Sequence, residues 1–207
     1  MQIQLENIGK RFNDDWIFSN INLSLESGQS YAIVGSNGSG KSTLMQVIAG
    51  KIQQSQGTLH YFKDGKVIPP DKIFRFLSLA APYQELIEEF TLSQHLDFHR
   101  RFKSIRDNKS NKQIQSLLGA KFTLNKPVRN YSSGMKQRLK LALAILSETS
   151  LLLLDEPVTN LDDEGIAWYQ QLLQENDWQR LTVICSNRHD EEYRICKHFI
   201  EVEDYKR

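Results

Sequence analysis

Cysteines and long apolar runs are scarce in this sequence of 207 residues. Its two cysteines, Cys185 and Cys196, exclude a disulfide framework and lack metal-ligand spacing, so we expect reduced thiols. The longest purely apolar run, LLLL at 151–154, is far too short to span a bilayer. The opening residues, MQIQLENIGKRF, lack the apolar core of a secretion signal. We therefore expect a cytosolic protein that is soluble by itself.

An excess of charge of either sign is also absent. Lysine and arginine number 26 and aspartate and glutamate 25, which leaves a formal net charge of +1. Such a balance offers no basic surface for phosphate backbones, so we expect no nucleic-acid partner. The length suffices for one large domain with a substantial core, and we find no internal repeat or low-complexity linker.

What the chain does have is a glycine-rich motif, YAIVGSNGSGKSTL at residues 31–44. Gly35, Gly40, Lys41 and Ser42 match the pattern G-x-x-x-x-G-K-[ST], and the flanking residues predict a strand before the loop and a helix after it. The glycines let backbone N–H groups point at an anion near a helix N-terminus. We expect Lys41 to neutralise nucleotide phosphates and the Ser42 hydroxyl to bind Mg²⁺.

Two carboxylates follow an apolar run in LLLLDEP, residues 151–157. A wholly apolar run is typical of a central parallel strand that is covered on both faces. The end of such a strand lies where open α/β sheets bind ligands. We therefore expect Asp155 to hold Mg²⁺, directly or through water, and Glu156 to polarise the water that attacks the γ-phosphate.

Strands alternate with helices over much of the chain. Residues 2–34 are rich in β-formers, the region from about 91 to 148 has helical periodicity, and an α/β pattern returns in the last part. This order predicts a parallel core that is interrupted by a helical insert.

Two further motifs, YSSGMKQR at 131–138 and TNLD at 159–162, complete an ordered set. Over nearly the whole chain the set resembles the ATP-binding-cassette (ABC) ATPases, whose signature is usually written LSGGQ. Ser133 and Met135 depart from that signature, and we interpret the form as the variant familiar from exporter-type members. Ser132 stands where a helix is expected to begin, which would bring its hydroxyl to an oxyanion at the positive end of the helix.

The resemblance implies an α/β fold of the P-loop NTPase type. It would have a mostly parallel central sheet, an N-terminal antiparallel β part and a helical insert subdomain. We expect one domain, 1–207, with a core of about 1–80 and 149–207 and a helical part of about 81–148. The resemblance also implies that two cassettes face head to tail, with each ATP between the phosphate loop of one and the signature of the other.

Nucleotide-binding residues follow from the same resemblance. Phe12 occupies the place where the family stacks an aromatic ring on adenine, and Trp16 is the alternative; either residue could instead belong to the core. The predicted binding residues are Phe12, Gly35, Ser36, Asn37, Gly38, Ser39, Gly40, Lys41, Ser42, Thr43, Gln84, Ser132, Ser133, Gly134 and Asp162.

At two positions the chain departs from the family's pattern. Counting back from FTL puts Pro82 where the family has a glutamine that contacts Mg²⁺, so Gln84 must reach the site or water takes the role. The family's histidine that contacts the γ-phosphate falls on Asn187, Arg188 or His189 in VICSNRHDEE. Strand continuity favours Asn187, and His189 is the chemically nearest substitute.

We therefore predict the ATP-binding, ATP-hydrolysing subunit of an ABC transporter, with ATP and Mg²⁺ as cofactors. The predicted catalytic residues are Lys41, Glu156, Asn187 and His189, and the predicted metal ligands are Ser42, Asp155 and Gln84. A homodimer or paired cassette would power a separate transmembrane permease, in an exporter, from the inner face of the cell membrane. The alternatives are a soluble ABC ATPase that acts on ribosomes or nucleic acid, and a regulatory cassette with little turnover.

Overall fold

The computed structural model describes residues 1–176 and 179–206, and over these ranges it contains nine strands and six α-helices. The strands are β1 (Gln2–Phe12), β2 (Asp15–Glu26), β3 (Ser30–Val34), β4 (Gln56–Lys63), β5 (Lys66–Ile68), β6 (Leu77–Ala80), β7 (Leu151–Asp155), β8 (Leu181–Ser186) and β9 (His198–Glu201). The helices are α1 (Lys41–Ile48), α2 (Leu92–Arg100), α3 (Asn111–Leu118), α4 (Ser133–Ile145), α5 (Asp163–Glu175) and α6 (Asp190–Tyr193). A 3₁₀ turn, Val202–Tyr205, follows β9.

The first of two sheets is antiparallel and has the strand order β2-β1-β4-β5. Ile3 of β1 is opposite Leu25 of β2 on one side and Tyr61 of β4 on the other, and all three side chains are buried. Because alternate residues of a strand share one face, these positions give the sheet an apolar side that packs on the core.

The second sheet is parallel and has the strand order β6-β7-β8-β3-β9. Leu151 and Leu153 of β7 belong to the cluster formed with the antiparallel sheet and α1, whereas Leu152 and Leu154 belong to the cluster formed with α4 and α5. Both faces of the strand are therefore covered, which explains why it needs an uninterrupted apolar run. Since the strands are parallel, the carboxyl ends of β3, β7 and β8 meet at one edge.

Three helices, α2 to α4, lie between β6 and β7 in the chain. Their first turns are capped: the hydroxyls of Thr91, Ser110 and Ser132 accept hydrogen bonds from the backbone N–H groups of Gln94, Gln113 and Met135. The predicted α/β fold with its antiparallel part and helical insert is thus confirmed, while the division at about residues 81 and 148 stays a prediction. Within the described ranges, no helix is both long and apolar enough to cross a membrane.

Candidate active site

The glycine-rich loop connects β3 to α1 at the carboxyl edge of the parallel sheet. Gly40 lies immediately before α1 with φ 107°, and a Cβ there would be 2.5 Å from Ile17. Gly35 has φ 151°, and a Cβ there would be 2.7 Å from the hydroxyl of Ser39. Both conformation and space therefore require glycine at the two ends of the loop. The predicted residues Asn37 and Gly38 are exposed at its tip, and Thr43 lies in the first turn of the helix.

Lys41 is the first residue of α1, and only 4% of its surface is exposed. Its Nζ donates hydrogen bonds to the carbonyl oxygens of Gly35 at 3.0 Å and Ser36 at 2.9 Å. It also donates to Oδ1 of Asn187, which follows directly after β8. The lysine ammonium is thus held inside its own loop and joined to the end of a neighbouring strand.

Asp155 ends β7 and is almost completely buried, with 1% of its surface exposed. Its Oδ1 has no hydrogen-bond partner in the described part of the chain. Burial raises the pKa of this carboxyl; the Ser42 hydroxyl, which hydrogen-bonds to it, and the charge of Lys41 oppose the rise, while Glu156 adds to it. A buried, unpaired carboxylate oxygen beside a hydroxyl fits a Mg²⁺ ion, because both are the hard oxygen ligands that this ion prefers.

Glu156 adopts a left-handed backbone conformation, with φ 46°. This conformation is uncommon for a residue with a side chain, and strained backbone of this kind is one feature of active sites. Its N–H donates to the carbonyl oxygen of Cys185 on β8, and its Oε1 accepts from Nδ2 of Asn187 at 2.9 Å. Asn187 therefore uses both ends of its amide, accepting from Lys41 and donating to Glu156.

His189 is the other candidate for the position of the family's γ-phosphate histidine, which we call the switch position. It lies just before α6 and is exposed. Its backbone N–H donates to the Ser186 hydroxyl at 3.1 Å. The structure brings Asn187, rather than the ring of His189, into contact with Lys41 and Glu156.

The side chain of Gln84 takes part in a local hydrogen bond. Its Oε1 accepts from the N–H of Ala81 at 3.2 Å, which closes a local turn after β6. Tyr83 instead feels the charge of Asp155: burial, followed by this charge, raises the pKa of its phenol to about 12. The Gln84 amide is thus engaged in a local turn, and the charge of Asp155 acts on the pKa of the neighbouring Tyr83.

The signature lies at the start of α4, where the Ser132 hydroxyl caps the helix. A Cβ at Gly134 would be 2.9 Å from the carbonyl oxygen of Asn160, so the helix end packs directly on the loop after β7. Asp162 caps α5 by accepting from the Gly165 N–H at 2.8 Å. A cavity of about 450 Å³ is lined by residues of the signature, by 118–122 and by 160–162, and no phosphate-loop residue lines it.

Phe12 is 49% exposed at the end of β1, with the Lys10 ammonium 4.8 Å from its ring centroid. Trp16 lies on β2, the other strand of this hairpin, and packs against Gly9 of β1. A Cβ at Gly9 would be 2.8 Å from its ring. Of the two aromatic candidates, Phe12 therefore presents the more accessible ring.

Sequence reasoning did not find two carboxylates near this edge. Glu203, in the turn after β9, accepts from the N–H and the hydroxyl of Ser36, and Glu192 of α6 is buried behind the loop that follows β7. Neither lies in a recognisable motif, because each contact joins segments that are distant in sequence. A buried glutamate cannot be told from an exposed neighbour such as Glu191 by residue type alone.

The fold and the site together define a P-loop NTPase with an antiparallel β part and a helical insert. Within that class the chain belongs to the ABC transporter family, whose model matches residues 18–159. The family comprises the ATP-binding cassettes of ABC transporters, which bind and hydrolyse ATP.

Several known proteins are similar to the chain. The uncharacterized ABC transporter ATP-binding protein YcbN of Bacillus subtilis (strain 168) is 29% identical over 172 residues, 83% of this chain and 56% of that protein. The chain thus matches little more than half of YcbN. The lantibiotic transport ATP-binding protein SrtF of Streptococcus pyogenes is 28% identical over 190 residues, 89% of this chain and 79% of that protein. The dimeric structure of MJ0796, a bacterial ABC transporter cassette, matches with a TM-score of 0.78 at 21% identity, over 97% and 95% of the two chains.

Proposed function

We propose that this chain hydrolyses ATP to power a separate membrane permease that exports its cargo. The observation that carries the proposal is the continuous set of contacts from Lys41 through Asn187 to Glu156, next to the unpaired carboxylate of Asp155. A cassette that only binds ATP has no use for a general base held in place in this way. The arrangement therefore favours turnover over a purely regulatory role.

In this mechanism Lys41 neutralises the charge of the β- and γ-phosphates from inside the loop. The residues that would hold Mg²⁺ are Ser42 and Asp155. When bound, Mg²⁺ supplies charge neutralisation at the phosphate oxygens. Glu156 accepts a hydrogen bond from the attacking water and orients it toward the γ-phosphate. Asn187 holds the carboxylate of Glu156 in position and, unlike a histidine, has no titration near neutral pH.

A second copy of the chain would complete the site. The signature at Ser132 to Gly134 lines a cavity that contains no phosphate-loop residue, so its capped helix N-terminus is available to a nucleotide bound elsewhere. The similar cassette MJ0796 is dimeric, which supports pairing of two copies. ATP binding would then close the pair, and hydrolysis would release it.

The membrane partner would dock beside β6 and α2. A groove of about 510 Å³ there is lined by Phe74, Phe98, Lys103 and Lys140 among others, and Phe98 and the nearby Phe102 are 41% and 71% exposed. Exposed aromatic rings suit a partner helix that has one apolar face, and Lys103, Lys140 and Glu85 of the same lining offer charges of both signs to its polar residues. The YSSGM form of the signature favours export, and the similarity to SrtF, a lantibiotic transport ATP-binding protein, supports a role in transport. We place the chain at the cytoplasmic face of the membrane, as this partner requires.

The first test is ATP-dependent dimerisation. Glu156→Gln removes the base but keeps the shape of the side chain, so with Mg-ATP the variant should accumulate as a dimer in size-exclusion chromatography. Adding Lys41→Ala to the same variant should abolish the dimer, because the phosphates lose their cation. A Glu156→Gln protein that remains monomeric in saturating Mg-ATP would contradict the paired mechanism.

The second test is a tagged pull-down from detergent-solubilised membranes of the native organism. We expect a multi-spanning protein to copurify with the wild type and with Phe199→Glu, whose phenylalanine is also exposed but lies on β9. Phe102→Glu should lose this protein. Recovery of ribosomes, or of the soluble chain alone, would favour the non-transport ABC ATPase.

A further inference from the structure

A carboxylate from the last described turn of the chain lies against the phosphate loop. β9 pairs in parallel with β3, and Glu201 is opposite Val34, the last residue before the loop. This register carries the following turn, Val202–Tyr205, under the loop. There Oε1 of Glu203 accepts from the Ser36 N–H at 3.1 Å and also from the Ser36 hydroxyl. The phosphate loop is thus fastened to the turn through one of its own residues.

The same carboxylate is bonded to the loop that follows β8. Oε2 of Glu203 accepts from the guanidinium of Arg188 at 3.3 Å, and Glu201 accepts from that guanidinium at 3.1 Å. Arg188 is held in the left-handed region, with φ 64°, and directly follows Asn187. Because the two residues are adjacent, the contacts of Arg188 also restrain the backbone next to the amide that contacts Lys41 and Glu156.

Ser36 therefore lies between two opposing sets of contacts. Its carbonyl oxygen accepts from Lys41 on the side of the active site, while its N–H and hydroxyl donate to Glu203 on the other side. The two loops are consequently connected twice, once through Lys41 and Asn187 and once through Glu203 and Arg188. In the second connection Glu203 itself was not among the residues predicted to bind the nucleotide, although Ser36 was.

We propose that Glu203 is a positioning residue for ATP hydrolysis: by bonding Ser36 and Arg188 together, it fixes the distance between the phosphate loop and Asn187. The inference rests on the proposed role of Asn187 in holding Glu156.

Charge argues against a role for Glu203 in binding ATP itself. A carboxylate next to an anion site repels phosphate, and the adjacent Arg188 offsets that repulsion only in part because both side chains are partly exposed to water. The contribution of Glu203 to hydrolysis must therefore be geometric. Geometry affects the chemical step because the base and the attacking water have to be aligned. Removal of Glu203 should lower kcat and leave nucleotide affinity nearly unchanged.

The test is a double-mutant cycle on the full chain with Glu203→Ala and Asn187→Ala. We expect Glu203→Ala to lower kcat about fivefold, the effect of losing a few partly exposed hydrogen bonds. ATP affinity, measured by titration calorimetry, should change by less than about twofold. In the Asn187→Ala background the same substitution should have no further effect on kcat, because the group that it positions is gone.

Two further variants distinguish the loss of this connection from a general loss of structure. Arg188→Met breaks the same connection from the other side, so it should reproduce the loss in kcat and should not add to Glu203→Ala. Asp204→Ala removes an exposed acid from the same turn and should leave kcat and the melting temperature unchanged.

The outcomes separate the two hypotheses. If Asn187→Ala leaves kcat unchanged, the proposed function of Asn187 is wrong and the inference falls with it. If Asn187→Ala lowers kcat but Glu203→Ala does not, or lowers it equally in both backgrounds, only the positioning role of Glu203 is refuted.

Discussion

We expect Glu192 to make the stability of this protein depend on pH. Its side chain is 2% exposed, its Oε1 accepts from the Val158 N–H at 3.4 Å, and its Oε2 has no hydrogen-bond partner within the described ranges. Burial raises the pKa of this carboxyl to about 7, and the charge of Glu156 adds to the rise, although the nearby Ser186 hydroxyl, the hydrogen bond from Val158 and the charge of His189 oppose it. Between these two pKa values the folded protein therefore keeps a proton on Glu192 that the unfolded chain has largely released.

The size of the effect follows from the two pKa values. A rise from the ordinary value of 4.5 to about 7 corresponds to about 3 kcal/mol, since one pKa unit is worth about 1.4 kcal/mol. Because the folded-state pKa is the higher one, this stability is fully present below the unfolded value and is lost as pH rises through the folded value. Glutamine keeps the shape of the side chain but cannot ionise.

We expect the free energy of unfolding of the wild type, relative to Glu192→Gln, to fall by about 2 to 3 kcal/mol between about pH 5 and pH 8. Urea unfolding of both proteins at several pH values in this range measures the difference. Glu191→Gln, at the exposed neighbouring position, is the matched control and should follow the wild type at every pH. If the free energies of unfolding of the wild type and Glu192→Gln differ by the same amount at every pH, the reasoning is refuted, because only an ionising group makes that difference vary with pH.

Two further predictions concern nucleotide binding and the pH dependence of hydrolysis. Phe12→Ala should raise KM for ATP about tenfold, because stacking of a base on an aromatic ring is worth about 1 to 3 kcal/mol. Trp16→Ala should act mainly on stability, by lowering the melting temperature, and only weakly on KM. If Trp16→Ala raises KM and Phe12→Ala does not, Trp16 is the residue that stacks on adenine. His189→Ala should leave the pH–rate profile unchanged, because Asn187 is the side chain that contacts Glu156. A histidine-like inflection that disappears in His189→Ala would overturn this assignment of the switch position.

Local pattern predicted the parts of the site that depend on neighbours in sequence. The glycine loop was recognisable because Gly35 and Gly40 occupy conformations that need glycine, and a strand and a helix follow their own periodicities on either side. The run of leucines in β7 predicted a strand that is covered on both faces. It therefore also predicted that Asp155 and Glu156 lie at the carboxyl edge of the parallel sheet, where ligands bind.

Side-chain direction and long-range contacts could not be read in the same way. Gln84 follows β6 as expected, yet a local turn draws its amide to Ala81, and no sequence pattern distinguishes that turn from an extended reach into the site. The position of Asn187 was indicated by strand continuity, but its two hydrogen bonds depend on how β8 lies between β3 and β7.

The sequence by itself determined the fold class, the phosphate loop, the pair of carboxylates and the family, because each is encoded in residues that are close together along the chain. Only the tertiary structure decided what surrounds them. Glu203 and Ser36 are 167 positions apart and meet because β9 joins the sheet beside β3. Glu192 differs from Glu191 only in the side of α6 that packs against the core. Burial and pairing of this kind depend on three-dimensional packing, which residue order alone does not specify.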